Sequence, residues 1–184
     1  MDDIMDINIQ NMVASTSSQG NLDLPKISMM IEHAEYNPDR FPGLIFKLKE
    51  PKTTLLLFSS GKIVCTGAKS VEMVERSVHT ALAEVEKIGI EVTGDPDIKI
   101  QNIVATSDLK AELNLDSIAL TLGLERVEYE PEQFPGLVFR VGDPKVVLLL
   151  FGSGKVVSTG AKKIEDVEIS LELVSRELKQ AGLI

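Results

Sequence analysis

Hydrophobic positions along the 184-residue chain fall into short strand-like runs punctuated by two long helical ones. Residues 7–14 form a β-rich run with polar Gln10 and Asn11 inside it. Residues 22–33 carry apolar positions at helical spacing, with Pro25 acceptable only in a first turn. Three strands follow at 44–49, 53–58 and 62–67. Pro51-Lys52 separates the first two, and Ser60-Gly61 makes a hairpin turn between the last two. Residues 70–88 read as an amphipathic helix, opened by Ser70 with Glu72 and Glu75 behind it and closed by Gly89. The same order recurs: a strand near 98–106, a helix near 115–122, strands at 137–142, 145–151 and 155–159, and a helix near 164–181.

The recurrence is a duplication. Ile9–Ser15 returns as Ile100–Thr106, 91 positions later, and residues 36–69 return as 129–162, 93 positions later, with 21 of 34 positions identical. Two repeats, 1–92 and 93–184, meet near Gly94-Asp95-Pro96-Asp97. Hairpin spacing predicts an α+β fold with an antiparallel sheet.

Strand 53–58 and its twin Val146–Phe151 do not alternate apolar with polar. Because side chains alternate faces, both faces are apolar: one takes Leu55, Leu57, Ile63 and Cys65, the other Thr54, Leu56, Phe58, Val64 and Thr66. Helices on both faces would need parallel crossovers of a dozen or more residues, which the short connections do not supply. Helices on one face leave the other apolar face open as a binding surface.

Charge adds a direction. The net charge of −9 argues against a polyanion partner, yet it is unevenly spread. Segments 36–69 and 129–162 hold 10 Lys/Arg against 5 Asp/Glu, while the remaining residues hold 9 against 23. A basic sheet beneath acidic helices would turn the sheet toward a polyanion. The alternative is that Lys47, Lys49 and Lys52 only guard strand edges against pairing. Charge alone does not separate these readings.

Other chemistry is sparse. One Cys excludes a disulfide framework and a Cys-rich zinc site. The acidic N-terminus does not resemble a secretory signal, and the longest aliphatic run, residues 146–151, is far short of the roughly 18 residues of a membrane span, so a soluble intracellular protein is expected. Gly152-Ser153-Gly154-Lys155 hints at a phosphate loop, but Val156-Val157 continue as a strand where such a loop needs a helix. His33 and His79 have no histidine twin in the other repeat, and Cys65, replaced by Ser158 in its twin strand, reads as a small core residue. No nucleophile or carboxylate pair repeats between the halves, so neither an enzyme nor a cofactor is expected.

The repeated motifs IQN(M/I)VA(S/T), YxPxxFPGL(I/V)F, PK(T/V)(T/V)LLLF and SGK(I/V)V(C/S)TGAK resemble the TATA-box-binding protein family, general transcription factors of archaea and eukaryotes. The resemblance spans nearly the whole chain, and the acidic balance and closely similar halves resemble archaeal members. It implies a duplicated, pseudo-two-fold saddle: a curved antiparallel β-sheet with four helices on the convex face and the DNA minor groove on the concave one. By the same resemblance, Phe41 and Phe58, and Phe134 and Phe151, are intercalating pairs. Asn11 and Asn102, with Thr66 and Thr159 beside them, are the central hydrogen-bonding residues. Val13, Leu56, Val64, Val104, Leu149 and Val157 are the apolar floor. Glu130, Glu132 and Gln133 meet transcription factor B. Implied partners are double-stranded promoter DNA (the TATA box), transcription factor B and the RNA polymerase machinery, with weak homodimers when free, no membrane and no metal, in the cytoplasm of an archaeal cell, associated with the nucleoid.

Residue chemistry offers its own tests of these roles. A minor groove presents mainly A·T acceptors and the guanine amino donor. An apolar floor leaves that donor unsatisfied, and Asn amides and Thr hydroxyls donate to the acceptors. Phenylalanine on a strand is commonly core, and a purely structural Asn11 and Asn102 would need internal partners for both. The rival functions are a peptide receptor using the same open face, and a domain of a DNA glycosylase or RNase H relative. The glycosylase reading would need a helical domain with catalytic Lys and Asp.

Overall fold

A computed structural model describes residues 5–184. They form ten strands and four helices in two compact units, one of Asn11–Gln101 and one joining residues 5–10 to Asn102–Ile184. Along the first half of the chain, β1 (Asn8–Ser17), most of it in the first unit, is followed by α1 (Leu24–Met30), β2 (Ala34–Tyr36), β3 (Leu44–Lys49), β4 (Lys52–Leu57), β5 (Lys62–Ala68) and α2 (Val71–Lys87). The second repeats the order with β6 (Lys99–Asp108), α3 (Leu115–Leu122), β7 (Val127–Glu128), β8 (Leu137–Arg140), β9 (Val147–Leu150), β10 (Lys155–Ala161) and α4 (Ile164–Gln180). The strand orders, β2-β3-β4-β5-β1 and β7-β8-β9-β10-β6, are the same path traced twice, with antiparallel pairing. This is the α+β arrangement of hairpins expected from the pattern. No helix of the described residues is long and apolar enough to cross a membrane.

Three of the four helices, α1, α2 and α3, start behind a side chain that caps them. Asp23 accepts from Lys26 N–H ahead of α1, whose first turn holds Pro25; Ser70 accepts from Met73 N–H ahead of α2, and Asn114 from Ser117 N–H ahead of α3. Helix α2 ends as Gly89 turns left-handed, its N–H on the Glu86 carbonyl.

Only one sheet face in each unit is covered. Helix α2 lies on β3, β4 and β5 and buries Val74, Val78, Ala81, Leu82 and Val85 against Leu44, Phe46, Leu55, Leu57 and Ile63. Burial of each such side chain contributes about 1.5–3 kcal/mol. Beneath α2 the buried hydroxyls of Thr53 and Ser77 are satisfied: Thr53 donates to Ser77 Oγ (2.7 Å), and Ser77 donates to the Met73 carbonyl (2.7 Å). The alternate residues Ile45, Leu56 and Val64 are half-buried, on the face that carries no helix. The face assignment read from the alternation therefore holds for Leu55, Leu57, Ile63 and Cys65 on one side and Thr54, Leu56, Phe58, Val64 and Thr66 on the other.

Some boundaries differ from the expected ones. Strand β1 runs three residues further, to Ser17, through a polar stretch whose pairing with β5 continues. Strands β8 and β9 are shorter than 137–142 and 145–151, because Gly142-Asp143-Pro144 turns the chain between them. The edge strands β2 and β7, of three and two residues, carry too few positions for any period to show.

Candidate nucleic-acid interface

The open face of each unit is organised around one asparagine and one extra residue. Strand β1 pairs with β5 as Met12↔Ala68 and Ala14↔Cys65, so Thr66 and Gly67 together oppose Val13. Gly67, at φ +92°, takes the left-handed conformation at this bulge, where a Cβ would be strained. The bulge turns the Gly67 N–H onto Asn11 Oδ1 (2.7 Å), while Asn11 Nδ2 donates to Thr66 Oγ1 (3.1 Å). In the second unit Ala105 faces Ser158, Ile103 faces Ala161, and Gly160 has φ +96°. There Gly160 N–H reaches Asn102 Oδ1 at 2.7 Å and Asn102 Nδ2 reaches Thr159 Oγ1 at 3.4 Å.

Both asparagines thus have the internal partners that a structural role would require, and both keep something over. Each amide has two N–H donors, one given to threonine and one without an acceptor among the described residues. Val13, Leu56 and Val64 share the half-buried face with Asn11 and Thr66; Val104, Leu149 and Val157 share it with Asn102 and Thr159.

At the end of each face two phenylalanines meet. Phe41 follows a turn in which its N–H bonds to the Asn37 carbonyl, and Phe58 leaves β4 into the Ser59–Gly61 turn. Their rings pack edge-to-face at 5.9 Å between centroids and 68°. Phe134 and Phe151 repeat this at 5.9 Å and 71°. All four are only partly covered, Phe134 being 40% exposed, whereas Phe46 and Phe139 are fully buried core residues. The six phenylalanines therefore divide four to two, a division that their positions on strands do not announce.

Lysines line a cleft in each unit. In the first unit Lys47, Lys52 and Lys69 line an open cleft of about 660 Å³ with Thr54, Thr66 and Gly67. In the second, Lys110 and Lys155 line one of about 730 Å³ beside Phe151 and Val157, together with Asp6 and Asp108. Lys69 was not singled out by the sequence pattern; its signal was its place one residue beyond the bulged strand. Glu130, Glu132 and Gln133 are all exposed, in the turn that leads into Phe134 through the Gln133 and Phe134 N–H bonds to the Glu130 carbonyl. The Ser153-Gly154 segment is a hairpin turn into β10.

His33, which has no histidine twin, has a positional one. Its carbonyl accepts Lys47 N–H as that of Arg126 accepts Arg140 N–H, and the side chains pair with Glu84 (2.8 Å) and Glu177 (2.6 Å). Both histidine and arginine here tie a loop to a helix, away from the open face.

Comparison with known proteins agrees with this architecture. The family model described as "Transcription factor TFIID (or TATA-binding protein, TBP)" matches residues 6–88 and 97–181. The TATA-box-binding protein of Thermoplasma volcanium is 56% identical over 178 residues, 97% of each chain. That of Picrophilus torridus is 54% identical over 184 residues, the full length of both. Among solved structures, Methanococcus jannaschii TBP superposes with a TM-score of 0.88 at 52% identity, covering 95% of this chain and 99% of that one. The chain belongs to the TATA-binding protein family, a family of general transcription factors and not of enzymes.

Proposed function

We propose that the protein binds the minor groove of A·T-rich promoter DNA with the open sheet face of each repeat, bends the duplex, and so nucleates initiation with transcription factor B and RNA polymerase. The observation that carries this reading is the unspent amide donor of Asn11 and Asn102, each set in an apolar surround. In the minor groove A·T pairs offer acceptors, which these donors match, while guanine adds an amino group that Val13, Leu56, Val64 and their twins Val104, Leu149 and Val157 would leave unsatisfied. The face therefore selects A·T by what it refuses as much as by what it bonds.

The half-exposed phenylalanine pairs supply wedges that part a base step and bend the helix away from the face. The cost of unstacking, a few kcal/mol per step, is offset by the contact the bend allows. Lys47, Lys52, Lys62 and Lys69, with Arg140 and Lys155, meet phosphate. The exposed acids Glu130 and Glu132, beside a wedge and off the floor, suit a basic surface of transcription factor B. Free of DNA, the apolar faces give weak self-association that duplex displaces.

The relatives compared above are named for binding the TATA box. A mobility-shift titration of this protein with an A·T-rich duplex, and with the same duplex carrying inosine or guanine substitutions, tests the reading. Inosine, which lacks the amino group, should be tolerated in place of guanine. Equal loss with inosine and guanine would mean that the amino group is not what the face rejects.

A further inference from the structure

We propose that Gly43 and Gly136 are positioning residues for the paired phenylalanines: by lacking a Cβ, each provides the seat on which its repeat sets two rings before DNA arrives. This rests on the wedge reading above and adds to it the residue that fixes the wedge's pose.

Neither glycine has the left-handed backbone that would itself call for glycine. Space does. A Cβ at Gly43 would stand 2.8 Å from Phe41 Cε1, 3.0 Å from Phe58 Cε1 and 3.2 Å from Phe58 Cζ. At Gly136 it would stand 2.7 Å from Phe134 Cε1, 3.0 Å from Phe151 Cε1 and 3.2 Å from Phe134 Cζ. Carbon atoms in favourable contact sit about 3.5–4.0 Å apart, so both rings of a pair close over the bare Cα. The three nearest atoms at each site belong to ring edges, and none of these belongs to the backbone. An added methyl would therefore leave the chain path alone and push the rings.

The residue between ring and seat contributes as well. Pro42 and Pro135 disfavour the helical backbone for Phe41 and Phe134, which narrows the ways in which the ring-bearing residue can enter the turn. With ring, proline and seat fixed, the edge-to-face angle is the same within a few degrees in the two repeats, 68° and 71°. A wedge held in this way has little side-chain freedom left to lose on insertion, which favours binding.

The test is a double-mutant cycle of Gly136→Ala with Phe134→Ala, with Phe151→Ala and Gly43→Ala alongside. Affinity for an A·T-rich duplex, 2-aminopurine fluorescence at the base step next to each repeat, and the melting temperature of free protein are measured. We expect G136A to weaken binding about three- to tenfold, the effect of freeing one or two ordered side chains. It should reduce unstacking at one step only, G43A should do so at the other, and melting should stay within about 2 °C. In the F134A background, which removes two of the three contacts, G136A should add almost nothing. An undiminished G136A effect in that background, a large loss of melting temperature, or wild-type binding by G136A while F134A and F151A bind poorly would each overturn the seat and leave the wedges standing. Unchanged binding and unstacking by F134A and F151A themselves would overturn the wedge reading, and the seat with it.

Discussion

The side-chain oxygen of Asn11 is committed to the backbone N–H of Gly67 at 2.7 Å, and this bond decides which end of the amide is left for a ligand. A backbone N–H only donates, so Oδ1 must face it and Nδ2 must face the open side. The same bond, at the same length, orients Asn102 on Gly160. Asn11→Asp is the matched test. Aspartate keeps the acceptor for Gly67 but turns an anionic oxygen toward the acceptors and phosphates of the duplex. Melting should change little, while affinity for an A·T-rich duplex, read by fluorescence anisotropy, should fall at least about a hundredfold, or about 2.7 kcal/mol. Affinity within twofold of wild type would show that the amide donor is not used.

The paired positions His33 and Arg126 differ in strength. The His33 ring meets Phe46 edge-on at 4.9 Å, whereas the Arg126 guanidinium lies over the Phe139 ring at 4.8 Å and is always charged. Arg126→Ala should cost about 1–2 kcal/mol, adding a half-exposed ion pair to a cation–π contact, and His33→Ala less than about 1 kcal/mol. Urea unfolding near neutral pH compares them; equal costs would mean that the stacked guanidinium contributes nothing.

Burial raises the Cys65 thiol from 9.0 to about 11, with a bond to Ser77 opposing part of the rise. Below pH 9 the thiol is protonated folded and unfolded, and stability is unaffected. Between pH 9 and about 11 the unfolded chain loses a proton that the folded one keeps, so stability falls as pH rises, by roughly 2–3 kcal/mol in all. The difference in unfolding free energy between wild type and Cys65→Ala should therefore shrink across this window. A constant difference would place the thiol in contact with solvent.

What the chain discloses before folding is uneven, for physical reasons. The period-two rule assigns Leu55 and Leu57 to one face and Leu56 to the other without further information, and α3 was legible at its observed bounds, 115–122. The bulge was not legible. Thr66-Gly67-Ala68 reads as an ordinary end of strand, and only the register against Met12 and Ala14 exposes the extra residue that aims the asparagine. Pro42-Gly43 reads as a turn, although one of the two rings that a side chain at Gly43 would meet is that of Phe58, 15 positions further along the chain. Contacts across such separations leave no mark on local pattern.

Reversing Glu130 and Glu132 to lysine should leave binary DNA binding within about threefold and weaken the ternary complex with transcription factor B at least tenfold, about 1.4 kcal/mol. Both acids are exposed on the turn before Phe134. Supershift assays with and without the partner read the two effects separately. A comparable loss of binary binding would place these acids against DNA.

If the open-face phenylalanines act on DNA and do not hold the core, Phe151→Ala will separate the two. Phe151 is half-buried and touches Phe134 edge-to-face, so its truncation should cost about 1 kcal/mol of stability, against roughly 3–5 kcal/mol for a core phenylalanine such as Phe139. Melting of the free protein and a fluorescence-transfer measurement of duplex bending, made on the same variant, should show a nearly unchanged fold, weaker binding and a smaller bend. A strongly destabilised protein that still bends DNA as the wild type does would contradict the account.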